Sequence, residues 1–289
     1  MGVSRQRPAR DELCFETVSA RPTVTHPKKV PASPPPCFLV LALLSARAVL
    51  LIDLHCHFLP GIDDGAPTVA DGVAMLEGLR ALGFTRVVAT PHMRPGMFDN
   101  EKQGLTAAFE GFLPQLVGRQ VPELSLSSEH YFDERVYTRL LNGEALPYPG
   151  GRAALLEFYE IDFPPVIEQR LFDLRRRKIL PVVAHPERYR KFWDHPEALE
   201  RLVDQGVATL LDCMALTGKY GRRPQRAAEE LLERELYQAA CTDLHRPSDL
   251  LTVEKSFKLI EKRYGKDEIR FLFEDGPAAL LDGRMPDAD

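Results

Sequence analysis

The stretch "LLIDLHCHFLPGIDDG", Leu50 to Gly65, begins as an apolar strand and ends in His55, His57, Asp63 and Asp64. Side chains alternate along a strand, so His-x-His turns both imidazoles to one side. Cys56, between them, then points away into packing. Asp63 reads as either a turn residue or a partner of the groups around it. A buried strand ending in groups that prefer water or a cation is the feature to explain.

The same ending recurs along the chain. "TRVVAT" (85–90) is followed by His92 and "ELSLSS" (123–128) by Glu129. "AALLEF" (153–158) carries Glu157, "ILPVVAH" (179–185) ends in His185, and "YQAACTD" (237–243) ends in Asp243 with His245 just beyond. "VATLLD" (207–212) completes about seven strands. Helical patterns separate them: "TVADGVAMLEGLRALGF", entered through Pro67 and stopped by Gly83, then residues 100–117, 133–142, 164–178, 196–206, 222–236, 249–263 and 266–273. This is one continuous βα series without internal repeats. Strands such as "RVVAT" and "LPVVAH", apolar on both faces, belong in a parallel sheet. Periodicity alone fits an open doubly wound sheet or a closed barrel. Six strand ends bearing ionisable groups favour the barrel, whose strand C-termini all open on one face; a crevice in an open sheet recruits fewer strands.

Gathering such groups carries an electrostatic problem, because ionised carboxylates packed together repel and burial raises their cost. Divalent cations remove it. An imidazole and carboxylate set without thiolate suits Mn, Fe or Zn better than Ca or Mg. His55, His57, Asp64, His92, Glu129, Glu157, His185, Asp243 and His245 exceed the roughly four to six donors one ion takes, which implies two or three ions with bridging carboxylates. Each residue alone has an ordinary reading: a strand-end histidine bonded to a loop, Glu157 paired with Arg152 or Arg188, Asp243 capping a helix. Those independent roles would not all select strand ends. His130 neighbours Glu129 and reads as facing the other side; His26 and His195, in tail and loop, carry no role.

The bulk composition is that of an ordinary globular protein: 289 residues, 44% hydrophobic, 27% charged, formal net charge −5. The mild acidity excludes the broad basic face of a nucleic-acid binder. Five scattered cysteines (Cys14, Cys37, Cys56, Cys213, Cys241), with no CxxC spacing, indicate a reducing, cytoplasmic setting rather than a disulfide framework. Residues 1–36, rich in Arg, Pro, Ser and Thr, read as disorder. "CFLVLALLSARAVLLI" (37–52) is shorter than the about 20 apolar residues of a membrane span and resembles a signal h-region only loosely. The expected organisation is an extension over 1–49, a domain over 50–282 and a tail over 283–289.

"IDLHCHFLPGIDDGAPT", "VVATPHMRPGMFDN", "LLEF", "VVAHPERY" and "TDLH" resemble the bacterial tyrosine-protein phosphatases of the CpsB/CapC capsule type, within the PHP (polymerase and histidinol phosphatase) superfamily. The resemblance covers about residues 50–282. It implies an α/β fold, a distorted (β/α)7 TIM-like barrel, with a metal cluster, usually Mn2+, at the C-terminal face of the strands. It assigns the nine donors above as ligands, and Arg94 and Arg188 as phosphate-holding residues, with Arg246 nearby. Asp64 is a candidate acid as well as a ligand. It further implies metal-assisted hydrolysis without a phospho-enzyme, acting on the phosphotyrosine tail of a bacterial kinase in exopolysaccharide control. Alternatives are histidinol phosphate or another small phosphomonoester, and a non-catalytic kinase-binding module. Met97 and Phe98 read equally as a wall for a tyrosyl ring or as packing. The chain departs from the family where an "INA" segment is usual and "LLDCMALTG" (210–218) stands here, so Asp212 takes the place facing the mouth. "SSEHY" replaces "GAEIY" and keeps the glutamate.

Overall fold

The computed structural model describes residues 49–159 and 165–286. The expected extension, apart from Val49, lies outside these residues, as do the last three positions of the tail. Among the described residues nine strand segments form: β1 (Leu51–Cys56), β2 (Phe84–Ala89), β3 (His92–Met93), β4 (Glu123–Leu126), β5 (Glu129–Tyr131), β6 (Ala153–Glu157), β7 (Leu180–Ala184), β8 (Ala208–Asp212) and β9 (Ala239–Cys241). Every pairing between them is parallel.

These nine segments are seven staves. β2 and β3 are one strand broken at Thr90-Pro91, where proline has no N–H to continue a ladder. β4 and β5 are one strand broken at Ser127-Ser128. The lower halves pair in the order β1-β2-β4 and the upper segments in the order β3-β5-β6-β7-β8-β9. The ring closes where Cys56 bridges Leu244 in parallel fashion and the N–H of Asp243 donates to the carbonyl of His55 at 2.9 Å. Buried Asp53 ties the same seam, accepting from the Thr242 N–H at 3.0 Å and the Thr242 hydroxyl at 2.5 Å. The fold is therefore a closed, distorted (β/α)7 barrel, with the interruptions its distortion.

The wall helices are α1 (Val69–Ala81), α2 (Lys102–Phe112), α3 (Glu134–Asn142), α4 (Pro165–Arg176), α5 (Arg190–Asp194), α6 (Pro196–Asp204), α7 (Arg222–Glu233), α8 (Leu250–Tyr264) and α9 (Lys266–Arg270), followed through one π-helical segment by α10 (Gly276–Leu281). Thr68, not Pro67, caps α1, its hydroxyl accepting from the Asp71 N–H. α5 and α10 are too short to show a helical period in the sequence. Among the described residues no helix is long and apolar enough to cross a membrane.

Two apolar clusters divide the core. The larger lies between sheet and helices. The smaller takes alternate residues from successive staves: Leu54, Val88, Leu155, Val182, Leu210 and Cys241. It is the barrel interior, filled in layers. Tyr148 and Leu280 of α10 join it, and the Tyr148 hydroxyl donates to the Leu54 carbonyl at 3.0 Å. Strand parity sets the layer above: two residues beyond Leu155, Leu210 and Cys241 come Glu157, Asp212 and Asp243. The polar groups form the uppermost layer of an otherwise apolar stack.

Candidate metal centre

Local backbone devices aim the polar layer inward. Relative to β2, strand β1 gains one residue between Asp53 and Cys56, a bulge. It puts Leu54 in the barrel interior and Cys56 in the outer core, and leaves the His55 and His57 ring centroids 4.9 Å apart. His185 (φ 34°) and Asp243 (φ 45°) adopt left-handed backbone at the ends of their strands. For residues other than glycine such a conformation costs about 1–3 kcal/mol and persists where surroundings enforce it.

Glu129 stands at the centre. Its Oε1 lies 2.9 Å from His185 Nε2 and 3.3 Å from His55 Nε2; its Oε2 lies 2.9 Å from His92 Nδ1 and 3.6 Å from His57 Nε2. Asp243 Oδ1 is 3.0 Å from His55 Nε2 and 3.4 Å from His57 Nε2. Glu157 Oε2 is 3.6 Å from His92 Nδ1. Asp64, half exposed at the edge, approaches His92 Nε2 at 3.3 Å and His245 Nε2 at 3.5 Å. All nine residues fall into four overlapping groups of donor atoms, each group within 4.8 Å: His57, Asp64, His92 and His245; His55, His57 and Asp243; His55, Glu129 and His185; His92, Glu129 and Glu157.

The outer contacts fix which ring nitrogen faces inward. His55 Nδ1 meets the Thr90 hydroxyl at 2.6 Å and His57 Nδ1 meets Asp63 Oδ2 at 2.8 Å, which leaves both Nε2 atoms to the centre. Asp63 therefore fills both roles open to it, since it also accepts from the Gly65 N–H. His245 Nδ1 meets its neighbour's backbone, the Asp243 carbonyl, at 2.8 Å. Such outer partners orient metal-binding histidines. Buried His55 Nε2, His57 Nε2, His92 Nδ1, Glu157 Oε2 and Asp243 Oδ1 have no hydrogen-bonded partner, although each lies near an oppositely polar atom. Five orphaned donor atoms converging on one space fit cations that would complete them.

Protonation without cations carries the same message. Burial works against a charged ring, yet Glu129 and Asp243 push His55 up to about 10. His92 overcomes burial in the same way, through Glu129 and Asp64, and rises to about 12; His245, facing Asp243, rises to about 9. Glu129 and Asp243 overcome burial in the opposite direction, held low by His55 with His92 and by Arg188 with His55 respectively. Hydrogen bonds from His245 and His92 hold Asp64 well below the carboxylate range. Burial and repulsion from Glu129 push Glu157 up to about 8, whereas burial and the Arg188 charge push His185 down to about 4.

The sequence profile described as "Capsular polysaccharide synthesis, CpsB/CapC" matches residues 51–282. The chain belongs to the CpsB/CapC family. Tyrosine-protein phosphatase YwqE of Bacillus subtilis is 28% identical over 236 residues, covering 80% of this chain and 91% of YwqE. Tyrosine-protein phosphatase CpsB of Streptococcus pneumoniae is 25% identical over 241 residues, covering 80% and 98%. A crystal structure from work on YwqE and CpsB, described as "unique metal-dependent tyrosine phosphatases", superposes with a TM-score of 0.76 at 28% identity, covering 83% of this chain and 97% of that one.

Against this CpsB/CapC background the structure brings all nine anticipated donors together and treats the basic residues unequally. Arg94 stacks on the Tyr131 ring, 4.2 Å from its centroid, and reaches Glu157 at 4.0 Å; Glu157 meets this arginine, not Arg152 or Arg188. Arg188 bonds both Asp212 and Asp243 and lies 4.0 Å from the Tyr220 ring centroid. Arg246 is spent on the backbone carbonyls of Asp64, Gly65 and His245, where it pins the β1–α1 loop rather than facing the centre. His130 is turned away as expected, Nδ1 on the Leu155 carbonyl and Nε2 accepting from the Leu146 N–H. Phe98 stacks on His92 with an interplanar angle of 6°, while Met97 is 60% exposed. Sequence reasoning gave no role to Thr90, Tyr131, Tyr189 or Asp53. All four sit inside quoted segments, "IDLHCH", "VVATPH", "SSEHY" and "HPERY", the one signal that marked them; the Tyr189 hydroxyl accepts from the Phe158 N–H at 3.1 Å.

Proposed function

We propose that this protein is a metal-dependent phosphomonoesterase that hydrolyses phosphotyrosine on a protein, the tail of a bacterial tyrosine kinase being its physiological substrate. His55, His57, Asp64, His92, Glu129, Glu157, His185, Asp243 and His245 hold two or three divalent ions, Mn2+ in preference, with Fe and Zn also suited to the donor set. The observation that carries the reading is the placement of Glu129, each of whose carboxylate oxygens faces two imidazoles. Such a carboxylate would hold cations through both of its oxygens. When bound, the ions supply a nucleophile from water at neutral pH and neutralise charge on the phosphoryl group.

The protein's own groups do the rest. Arg94, fixed by its stack on Tyr131, and Arg188, fixed by Asp212 and Tyr220, present planar guanidinium groups to phosphoryl oxygens. Asp64 is held ionised by hydrogen bonds from His245 and His92, so it serves as a ligand rather than as an acid. A leaving phenolate, with a conjugate acid near pKa 10, departs without a strong proton donor. Burial pushes the Cys56, Cys213 and Cys241 thiols well up, so none of these is a thiolate nucleophile. That argues for direct attack by water and against a cysteinyl phospho-enzyme.

The test is a panel on chelated and Mn2+-reloaded protein: an aryl phosphate, a phosphotyrosine peptide, histidinol phosphate and an oligonucleotide. Metal-dependent turnover of the first two is expected. Preferential turnover of histidinol phosphate, or stoichiometric peptide binding without turnover, would replace this reading by the small-molecule or the binding-module alternative.

A further inference from the structure

Two stretches bordering the mouth are basic throughout. "RYRKFW" (188–193) and "CMALTGKYGRRPQRAA" (213–228) contain no Asp or Glu, in a chain of net charge −5. Arg190 opens α5 directly after the turn bearing Arg188; Arg222, Arg223 and Arg226 occupy the first turns of α7. All four are exposed. The two helices adjoin, with Arg223 5.7 Å from the Trp193 ring centroid. Lys191 and Lys219 are matched by Glu168 and Asp249. Among the described residues Arg190, Arg222 and Arg226 make no ion pair.

Apart from the Arg223–Trp193 contact, no interaction among the described residues repays the fold for this arrangement. A helix N-terminus is the positive end of the peptide dipole and favours acidic residues. α1, α3 and α9 follow that rule with Asp71, Glu134 and Asp267. α7, like α2 and α8, has no acidic residue in its first turn and no side-chain cap, and alone of the three places two arginines there. Arg222 and Arg226, four residues apart on one helix face, repel each other. An anionic partner relieves all of these at once.

We propose that Arg190, Arg222, Arg223 and Arg226 form a docking surface for an acidic peptide segment flanking the phosphotyrosine, a proposal that rests on the phosphatase reading of the adjacent site. Position selects a peptide over an anionic membrane. Arg190 follows Arg188 by two residues, and Arg222 follows Tyr220, which stacks on Arg188, by two residues. Two residues span at most about 7 Å. A chain with its phosphotyrosine in the mouth thus lays its next few residues across these guanidinium groups, where exposed pairing adds attraction and register.

The experiment compares Mn2+-loaded full-length protein with an R222E/R226E variant. Substrates are phosphotyrosine peptides with acidic or neutral flanks and a flankless aryl phosphate. The wild type should show a lower KM for the acidic peptide, and the advantage should shrink as salt is raised. The variant should raise KM for the acidic peptide by about tenfold, as two exposed attractions turned to repulsions would, with kcat and aryl phosphate turnover unchanged. Acidic side chains suit the first turn of α7 but repel each other and Glu230 at a spacing of four, so the two effects offset and thermal stability should change little. Equal KM values for the two peptides in the wild type would overturn the proposal. So would a variant that loses binding to phosphatidylserine vesicles while keeping its peptide KM, which assigns the patch to a membrane. Anisotropy of the labelled peptides reads docking without turnover: an inert enzyme that still prefers the acidic peptide would sink the phosphatase reading and leave the surface standing.

Discussion

Loading metal into the chelated protein should expel protons, and the number can be worked from the site. Imidazoles must be neutral to bind a cation, whereas His55 (about 10), His92 (about 12) and His245 (about 9) are charged at pH 7 in the metal-free protein. Even the lowest of these holds its proton in roughly 99% of molecules, and Glu157, near 8, holds one in roughly 90%. His185, pushed down to about 4, contributes none, and Glu129, Asp243 and Asp64 are already ionised. Full loading at pH 7 therefore releases roughly four protons per chain. Titration calorimetry in buffers of different ionisation enthalpy measures this as the slope of apparent against buffer enthalpy. The linkage has a second face. The three imidazoles have folded-state values above the unfolded value, so the stability they contribute is full below about 6.5 and is lost as pH climbs through 9 to 12. The chelated protein should melt at progressively lower temperature from pH 7 to 10, and the loaded protein should change much less. Release of fewer than one proton would refute the idea that protons occupy the place of cations among these rings.

Four further outcomes rest on individual contacts. Glu129→Gln, which weakens contacts to four imidazoles, should lower bound metal by more than one equivalent in elemental analysis and cut kcat/KM by at least about 100-fold. Asp63→Asn leaves the nine donors in place but disturbs His57 and the His92 N–H, and should weaken metal affinity about 10- to 100-fold in chelator competition. Cys56→Ser should keep its activity once loaded with metal, at a stability cost of at most about 2 kcal/mol in denaturant titration; loss of turnover with metal retained would revive a thiol mechanism. Tyr148→Phe should lose about 1 kcal/mol of stability, since the Leu54 carbonyl forfeits a buried donor, with metal content unchanged.

The clustering of the nine residues was legible in the sequence because parallel strands buried on both faces read as apolar runs, and a histidine or carboxylate at the end of such a run stands out. Barrel closure was legible for the same reason, since six such endings need a common rim. What stayed hidden has physical causes. Strand periodicity cannot reveal a one-residue bulge, so the path by which Leu54 and Cys56 separate into inner and outer cores came from the structure. The break after Thr90 was marked by Pro91, but that after Ser127 had no such marker. α10 spans six residues, too few to show a period, yet Leu280 packs into the barrel interior. Asp53 looked like one more polar residue on β1; its bond to Thr242 is a long-range pairing that no local pattern encodes. Arg188 and Arg246 were anticipated by type, while the partners that distinguish them, Asp212 with Asp243 for one and backbone carbonyls for the other, depend on tertiary placement.

The Asp53–Thr242 tie joins residues 189 positions apart, and the ring of staves is complete only when it forms. His55 thus meets Asp243 only once that seam has closed. A nascent polypeptide on the ribosome lacks Asp243 and His245 until synthesis has passed β9, and until then its rim is incomplete. On the metal-centre reading, ion binding would register closure of the ring rather than guide it, and a chain truncated before β9 should bind Mn2+ more weakly than the full one.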